Sequence, residues 1–272
     1  MEVIGQSNLT KEITKVLKIF KASETQIRPH FMLTGPSGSG KSFTIASLCN
    51  SLDIPFIEVN AAQLTKEGVS GNSVSKALTP LARTGGKPTV CFVDEFDKLF
   101  ISGNCNSDLA HESTNGVQNE FLKILESDET AIFGDYGKYI NISVNNILFI
   151  FAGAFNGEVD ITLDRLRELG LKTEFLGRVG LVFNTQPLSL EDLYIILDNN
   201  EVLKKYLELF KDVNKSKIKS TLKEKIKENF ENNTLGARMI TTLIHQYFIK
   251  GGFKNKKDVQ NVTFQNKLTF KE

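Results

Sequence analysis

The chain has 272 residues and a net charge of +1, from 33 basic and 32 acidic side chains, so it is long enough for about two domains with a sizeable core. That balance gives no global basic field for nucleic acid, and three scattered cysteines (Cys49, Cys91, Cys105) without a C-x-x-C pair indicate neither a disulfide scaffold nor a zinc site. The opening MEVIGQSN lacks a leader pattern and the longest strongly apolar run, residues 147–155, is far too short to span a bilayer, so a cytoplasmic protein with no membrane partner is expected.

Leu9, Ile13, Val16, Leu17 and Phe20 recur at helical spacing, with Ser7 or Asn8 as the expected cap. Residues 30–34 (HFMLT) read as a short buried strand running into GPSGSGKS at 35–42, followed by a helix over SFTIASLCNSL. FIEVN (56–60) is a second strand, residues 73–82 a helix, and VCFVDEFDKL (90–99) begins as an apolar strand that ends in two acids. Residues 101–116, rich in Gly, Asn and Ser, are expected to form a mobile loop. Val117, Phe121, Ile124 and Leu125 define the next helix, residues 132–142 alternate around a turn as a hairpin would, and NILFIFAGAF (146–155) is another buried strand.

Strands alternating with helices predict an α/β fold with a parallel sheet. After Pro187 the strand-like runs stop, and residues 190–248 read as amphipathic helices heavy in Lys and Glu. The lysines between 211 and 227 are interleaved with acids and apolar residues, as on a solvated helix face rather than a nucleic-acid patch. Residues 262–270 (VTFQNKLTF) form a strand or hairpin, or order only against a neighbour. The expected partition is a large α/β domain over 1–187 and a small, mainly helical domain over 188–272. His30, His111 and His245 stand apart in sequence and read as packing or surface residues.

GPSGSGKS fits the G-x-x-x-x-G-K-[ST] loop, whose backbone N–H groups wrap nucleotide phosphates. Gly35, Gly38 and Gly40 let the backbone approach the anion and adopt positive φ. Lys41 would reach the β- and γ-phosphates, and the Ser42 hydroxyl would sit on Mg²⁺. The helix that follows places its positive dipole end at the anion. About fifty residues on, Asp94 would complete the Mg²⁺ shell and Glu95 would polarise the attacking water. On a strand, two adjacent side chains point to opposite faces, so these acids hold different roles.

These motifs, with the segments around them, resemble the AAA+ ATPases and, within them, the ClpX/HslU unfoldase branch. VIGQ (3–6), with Ile4, is similar to the segment that packs near adenine. VNAAQLTKEGVSG (59–71) is similar to the segment carrying the first pore loop. GVQNEFLKILE, NILFIFAGAF, EFLGR, LSLEDLYIIL, LGAR and DVQNVTF continue the likeness in one order along nearly the whole chain. The resemblance implies a P-loop ATPase domain with a helical lid, bound to ATP and Mg²⁺ through Ile4, Gly35, Pro36, Ser37, Gly38, Ser39, Gly40, Lys41, Ser42 and Phe43. It places Arg178 as the arginine finger that completes a neighbouring subunit's site, and Arg238 as the arginine that reports the γ-phosphate to the lid. Val69 and Ser70 fall in the first pore loop, and Tyr136 and Lys138 in the second.

Three departures stand out against that branch. The pore loop reads GVSG, with Val69 where an aromatic is common; the polar position at the end of the 146–155 strand falls at Ala152, with Asn156 as a substitute. Neither the zinc-binding domain nor the long peptidase-docking insertion has a counterpart in the sequence. The reading is therefore an ATP-hydrolysing homo-oligomer, expected to be a hexameric ring, that remodels or disassembles a protein client. No nucleic-acid partner and no docking to a Clp peptidase are expected. The alternatives are a nucleic-acid-associated motor or loader of the same family, and a scaffolding ring that binds ATP with little turnover.

Overall fold

The structure, a computed structural model, describes residues 3–65, 72–101, 108–134, 137–210 and 214–253, with the backbone alone over 108–115. Five runs pair side by side and all in parallel: β1 (Phe31–Thr34), β2 (Phe56–Asn60), β5 (Thr89–Asp94), β8 (Ile147–Gly153) and β9 (Leu181–Asn184), in the order β2-β5-β8-β1-β9. Two minor sheets accompany it: β3 (Leu64–Thr65) with β4 (Asn72–Ser73), and the antiparallel hairpin of β6 (Glu129–Phe133) and β7 (Tyr139–Ser143). The parallel α/β sheet is thus present. Its edge strand β9 escapes the sequence reading, because four residues after Gly180 are too few to establish a period.

Alternation along the central strands sorts their side chains into two apolar layers. Leu148, Ile150 and Ala152 of β8, with Phe31, Leu33, Val90 and Phe92, pack with helices α1 (Ser7–Ala22) and α2 (Lys41–Ser51). Ile147, Phe149 and Phe151, with Met32, Cys91 and Val93, pack on the other face with Val117, Phe121, Ile124 and Leu125 of α4 (Asp108–Glu126). Between β4 and α4 lies the four-residue α3 (Val74–Ala77). Beyond β8, α5 (Leu163–Glu168) and α6 (Thr173–Arg178) lead to β9. Parallel strands covered on both faces read as continuous apolar runs, as here.

Local expectations differ in four places. Helix α4 begins at Asp108, well inside the expected loop. Residues 108–115 contain neither Gly nor Pro, so extending a packed helix backwards costs little. The expected helix over 73–82 divides into α3 and a 3₁₀ turn, Thr79–Thr84, because Pro80 has no N–H to continue the ladder. Neither Ser7 nor Asn8 caps α1: Gln6 is the N-cap, and its side chain is used elsewhere. Finally, Glu95 is not on a strand. It leaves β5 with φ 55°, in the left-handed region.

The chain divides into two compact units, Met1–Pro36 with Gly40–Gln186, and Ser37–Ser39 with Pro187–Glu272. In the second unit, α7 (Leu190–Asn199), α8 (Glu201–Leu209), α9 (Lys215–Asn229) and α10 (Arg238–Lys250) bury Leu193, Leu197, Leu203, Leu207, Leu222, Ile226, Ile240, Leu243 and Ile244 at three- and four-residue spacings. Ser189 and Asp192 form a capping box on α7, and Asn200 and Asn214 cap α8 and α9. Lys219 and Lys223 both reach the Asp198 carboxylate, at 2.9 and 2.7 Å, as a solvated and paired helix face does. Residues 262–270 lie outside the described residues.

Phe151 is enclosed by other rings, 4.6 Å from Phe96, 4.9 Å from Phe175 and 5.5 Å from Phe121. Phe151→Ala is expected to cost about 3–5 kcal/mol of stability in urea unfolding, against less than about 0.5 kcal/mol for Ile249→Ala. Ile249, at 76% exposure, serves as the reference; equal losses would contradict this packing. A second expectation concerns His30, whose Nδ1 accepts the Phe149 N–H at 3.0 Å. Burial, helped by the Arg28 charge, lowers its pKa to about 4. Between the unfolded value of about 6.5 and 4, the unfolded chain binds the proton more readily, so stability is lost as the pH drops through that window. His30→Asn, which keeps an acceptor but does not titrate, is expected to flatten the fall; an unchanged pH profile of unfolding would refute the assignment.

Candidate functional site

Between β1 and α2 the chain turns from strand to helix within residues 35–40. Gly40, the N-cap of α2, sits at φ 89°, where a side chain is strained. Gly35 has φ 136°, and a Cβ there would lie 1.9 Å from Thr185 Oγ1. Thr185 is fixed in turn, donating its backbone N–H to the Thr34 carbonyl at 2.8 Å. Pro36 is half-buried, and Ser37, Gly38 and Ser39 make the turn itself. The first N–H groups of an α-helix have no intrahelical partner, so the N-terminus of α2 presents donors to whatever the loop encloses.

Lys41 opens α2 with only 9% of its surface exposed. Its ammonium donates to the Gly35 carbonyl at 2.6 Å and the Pro36 carbonyl at 3.1 Å, which holds the positive charge within the loop. Next to it, the Ser42 hydroxyl donates to Asp94 Oδ2 at 3.2 Å, joining the start of α2 to the end of β5 across 52 residues. The other carboxylate oxygen of Asp94 accepts the Glu95 N–H at 2.8 Å. Glu95 is exposed, and its backbone is left-handed at φ 55°. Non-glycine residues at such φ carry strain and cluster at functional sites. Phe43, the next residue of α2, is 45% exposed.

The hydroxyl of Ser42 and the carboxylate of Asp94 are hard oxygen donors of the kind that suits Mg²⁺. Among the described residues no three His, Cys, Asp or Glu side chains gather as a metal cluster.

At the end of β8, Ala152 is fully buried and belongs to the apolar layer under α1 and α2. It brings no polar group to the site. The chain continues through Phe155 and Asn156 at φ 47° and 55°, with Asn156 exposed. Arg178 ends α6, where its guanidinium pairs with Glu126 of α4 at 3.2 Å; Arg178 is about half exposed. Arg238 is the exposed first residue of α10 in the second unit. Ile4 is half-buried, two residues before Gln6, whose amide exchanges hydrogen bonds with the Gln186 backbone at 2.7 and 3.0 Å. Lys138 is exposed just before β7. Val69, Ser70 and Tyr136 lie outside the described residues.

Sequence reasoning missed Thr185, whose side chain leaves room only for glycine at 35, and Asp97, a buried carboxylate that binds the Phe155 N–H at 3.1 Å. Neither carries a local signal, because each acts on a segment distant in the chain.

The profile of the ATPase family associated with various cellular activities (AAA) matches residues 31–175, which include the loop, Lys41, Ser42 and both acids. The chain is 27% identical over 228 residues to the ATP-dependent Clp protease ATP-binding subunit ClpX of Bacteroides fragilis, covering 68% of this chain and 55% of that protein. It is 26% identical over 228 residues to the protein of the same name from Bacteroides thetaiotaomicron, with the same coverage. Against that of Borrelia duttonii it is 26% identical over 262 residues, covering 77% of this chain and 61% of that protein. The matches therefore span between 55% and 61% of these relatives' length. With just over half of its residues matched by the family profile, the chain belongs to the ATPase family associated with various cellular activities.

Proposed function

We propose that this protein binds MgATP in the loop between β1 and α2 and hydrolyses it. The observation that carries the reading is the Ser42–Asp94 contact at 3.2 Å, which pairs two Mg²⁺-type donors beside a glycine loop holding a buried lysine. Gly35, Pro36, Ser37, Gly38, Ser39 and Gly40 enclose the phosphates, and the α2 N–H groups and Lys41 offset their charge. Phe43 and Ile4 line the remainder of the nucleotide, with Ile4 toward the base. Mg²⁺, held by Ser42 and Asp94, supplies charge neutralisation on the phosphate oxygens. Glu95, exposed just beyond Asp94, accepts the proton of the attacking water. Residues 1–187 form the nucleotide-binding domain and 188–272 the lid, with Arg238 on the lid reporting the γ-phosphate.

Arg178 serves the site of a neighbouring copy in a homo-oligomeric ring, expected to be hexameric. Its half-exposed position and loose pairing with Glu126 leave it available to another chain. The ring remodels a protein client in the cytoplasm, as suits likeness to Clp-type subunits and a chain in which no described helix is long and apolar enough to cross a membrane. The client is touched by Val69, Ser70, Tyr136 and Lys138. The ring works without a Clp peptidase, a reading supported by the short stretch from Phe155 to Arg178, which is taken up by a 3₁₀ turn, α5 and α6.

The test is nucleotide binding and steady-state ATP turnover. Lys41→Ala is expected to abolish measurable binding. Glu95→Gln is expected to bind ATP and turn it over about 10²-fold more slowly or less. Arg178→Ala is expected to bind ATP yet lose about 10³-fold in rate, and to regain activity when mixed with Glu95→Gln protein, at interfaces where both residues are intact. Wild-type rates in Lys41→Ala and Glu95→Gln would overturn the site, and turnover by a strict monomer would overturn the shared arrangement. Binding without turnover in the wild type would favour the scaffolding ring.

A further inference from the structure

Thr34 ends β1 fully buried, after the apolar residues Phe31, Met32 and Leu33. Its hydroxyl donates to Asn184 Oδ1 at 2.5 Å, joining strand ends 150 residues apart. The same Oδ1 accepts the Ile161 N–H at 2.7 Å, and Asn184 Nδ2 donates to the Ile161 carbonyl at 3.0 Å. One amide therefore takes both backbone groups of Ile161, as a neighbouring strand would, and a buried hydroxyl besides.

Strand pairing places this contact at the base of the glycine loop. β1 lies between β8 and β9, with Gly153 opposite Thr34 on one side and Asn184 opposite Thr34 on the other. The chain from Gly153 to Ile161 thus passes from one side of β1 to the other, beside the point where β1 gives way to the loop. Thr185, the residue after Asn184, donates its N–H and its hydroxyl to the Thr34 carbonyl at 2.8 and 3.2 Å, and its side chain packs on Gly35. Gly35 in turn offers its carbonyl to the Lys41 ammonium at 2.6 Å. Asn184 and Thr185 therefore hold the chain one peptide before the carbonyl that holds the loop lysine.

The fold does not require this hydroxyl. Valine has the same branched shape and suits a buried strand, and Asn184 Oδ1 would keep the Ile161 N–H as its donor. Exchanging a buried hydrogen bond for apolar packing of the same shape is close to neutral for stability when no group is left unmatched. What the bond adds is direction, which non-directional apolar burial does not supply.

On the premise that the glycine loop binds MgATP, we infer that Asn184 is a positioning residue for the nucleotide's phosphates. Its amide locks the Thr34 hydroxyl to the Ile161 backbone, and so fixes the end of β1 from which the loop departs, with the Gly35 carbonyl that holds Lys41. The effect falls on affinity and not on the chemical step, because the loop encloses the phosphates before transfer as well as during it.

The experiment measures equilibrium binding of the fluorescent nucleotide mant-ADP, and kcat and KM for MgATP, in wild type, Thr34→Val, Thr34→Ser, Asn184→Ala and the double variant Thr34→Val/Asn184→Ala. Thr34→Val is expected to weaken mant-ADP binding and raise KM about tenfold, with kcat changed by less than about twofold. Thr34→Ser, which keeps the hydroxyl, is expected to recover most of the affinity. Asn184→Ala is expected to weaken binding at least as much as Thr34→Val. The double variant is expected to bind no more weakly than Asn184→Ala, because the two side chains act through one bond. A double variant weaker by the full product of the single effects would overturn the joint role, and so would a Thr34→Ser protein as weak as Thr34→Val. Wild-type affinity and KM in Thr34→Val overturn the proposal even if Asn184→Ala does not fold, as does a loss confined to kcat. A wild-type protein that binds no mant-ADP defeats the premise instead, and is seen before any variant is compared.

Discussion

The seven residues Ile147–Gly153 are buried on both faces and hydrogen-bond in parallel to two strands at once, Thr89–Asp94 on one side and Phe31–Thr34 on the other. Parallel pairing forces all three strands to end on the same edge of the sheet, which is where α/β folds bind ligands. The glycine loop, the acid pair and the Phe155–Asn156 turn are the three chain exits along that edge. None of them is near another in sequence. Their proximity follows from the pairing of β8, and the Ser42–Asp94 hydrogen bond is its direct consequence.

Burial on both faces explains which residues that strand admits. Phe149 and Phe151 interlock with Phe96, Phe121 and Phe175 on one side, while Leu148, Ile150 and Ala152 meet the layer under α1 and α2 on the other. A polar group within β8 would need a buried partner. The first place where the chain regains freedom to carry one is beyond Gly153, and it does so in a strained turn. In that turn the buried carboxylate of Asp97 accepts the Phe155 N–H.

What the sequence made legible was local chemistry. GPSGSGKS and the acids after VCFV announce a nucleotide site because their residue types and order suit that chemistry. Apolar runs between them mark four of the five main strands. The rest depends on contacts between distant segments. Leu181–Asn184 is too short for its period to be read and becomes a strand only by pairing with β1. Glu95 looks like a strand residue until its φ of 55° is seen, so strand alternation does not govern the two acids. Asp97 sits in a run of charged and apolar residues that gives no hint of burial. Thr185 and Gly35 make sense only as a pair. Helix α4 extends into Asp108–Asn115 because a packed helix propagates more easily than composition alone suggests.

The Ser42 hydroxyl and the Asp94 carboxylate, 3.2 Å apart, are proposed as the two protein donors of one cation site that works with bound nucleotide. Electron paramagnetic resonance of Mn²⁺, used in place of Mg²⁺ with a non-hydrolysable ATP analogue, tests it without reliance on turnover. A protein-bound Mn²⁺ signal is expected in the presence of the analogue, weakened in Ser42→Ala and lost in Asp94→Asn, with the Glu95→Gln signal matching wild type. Identical Mn²⁺ binding by wild type, Ser42→Ala and Asp94→Asn would contradict it.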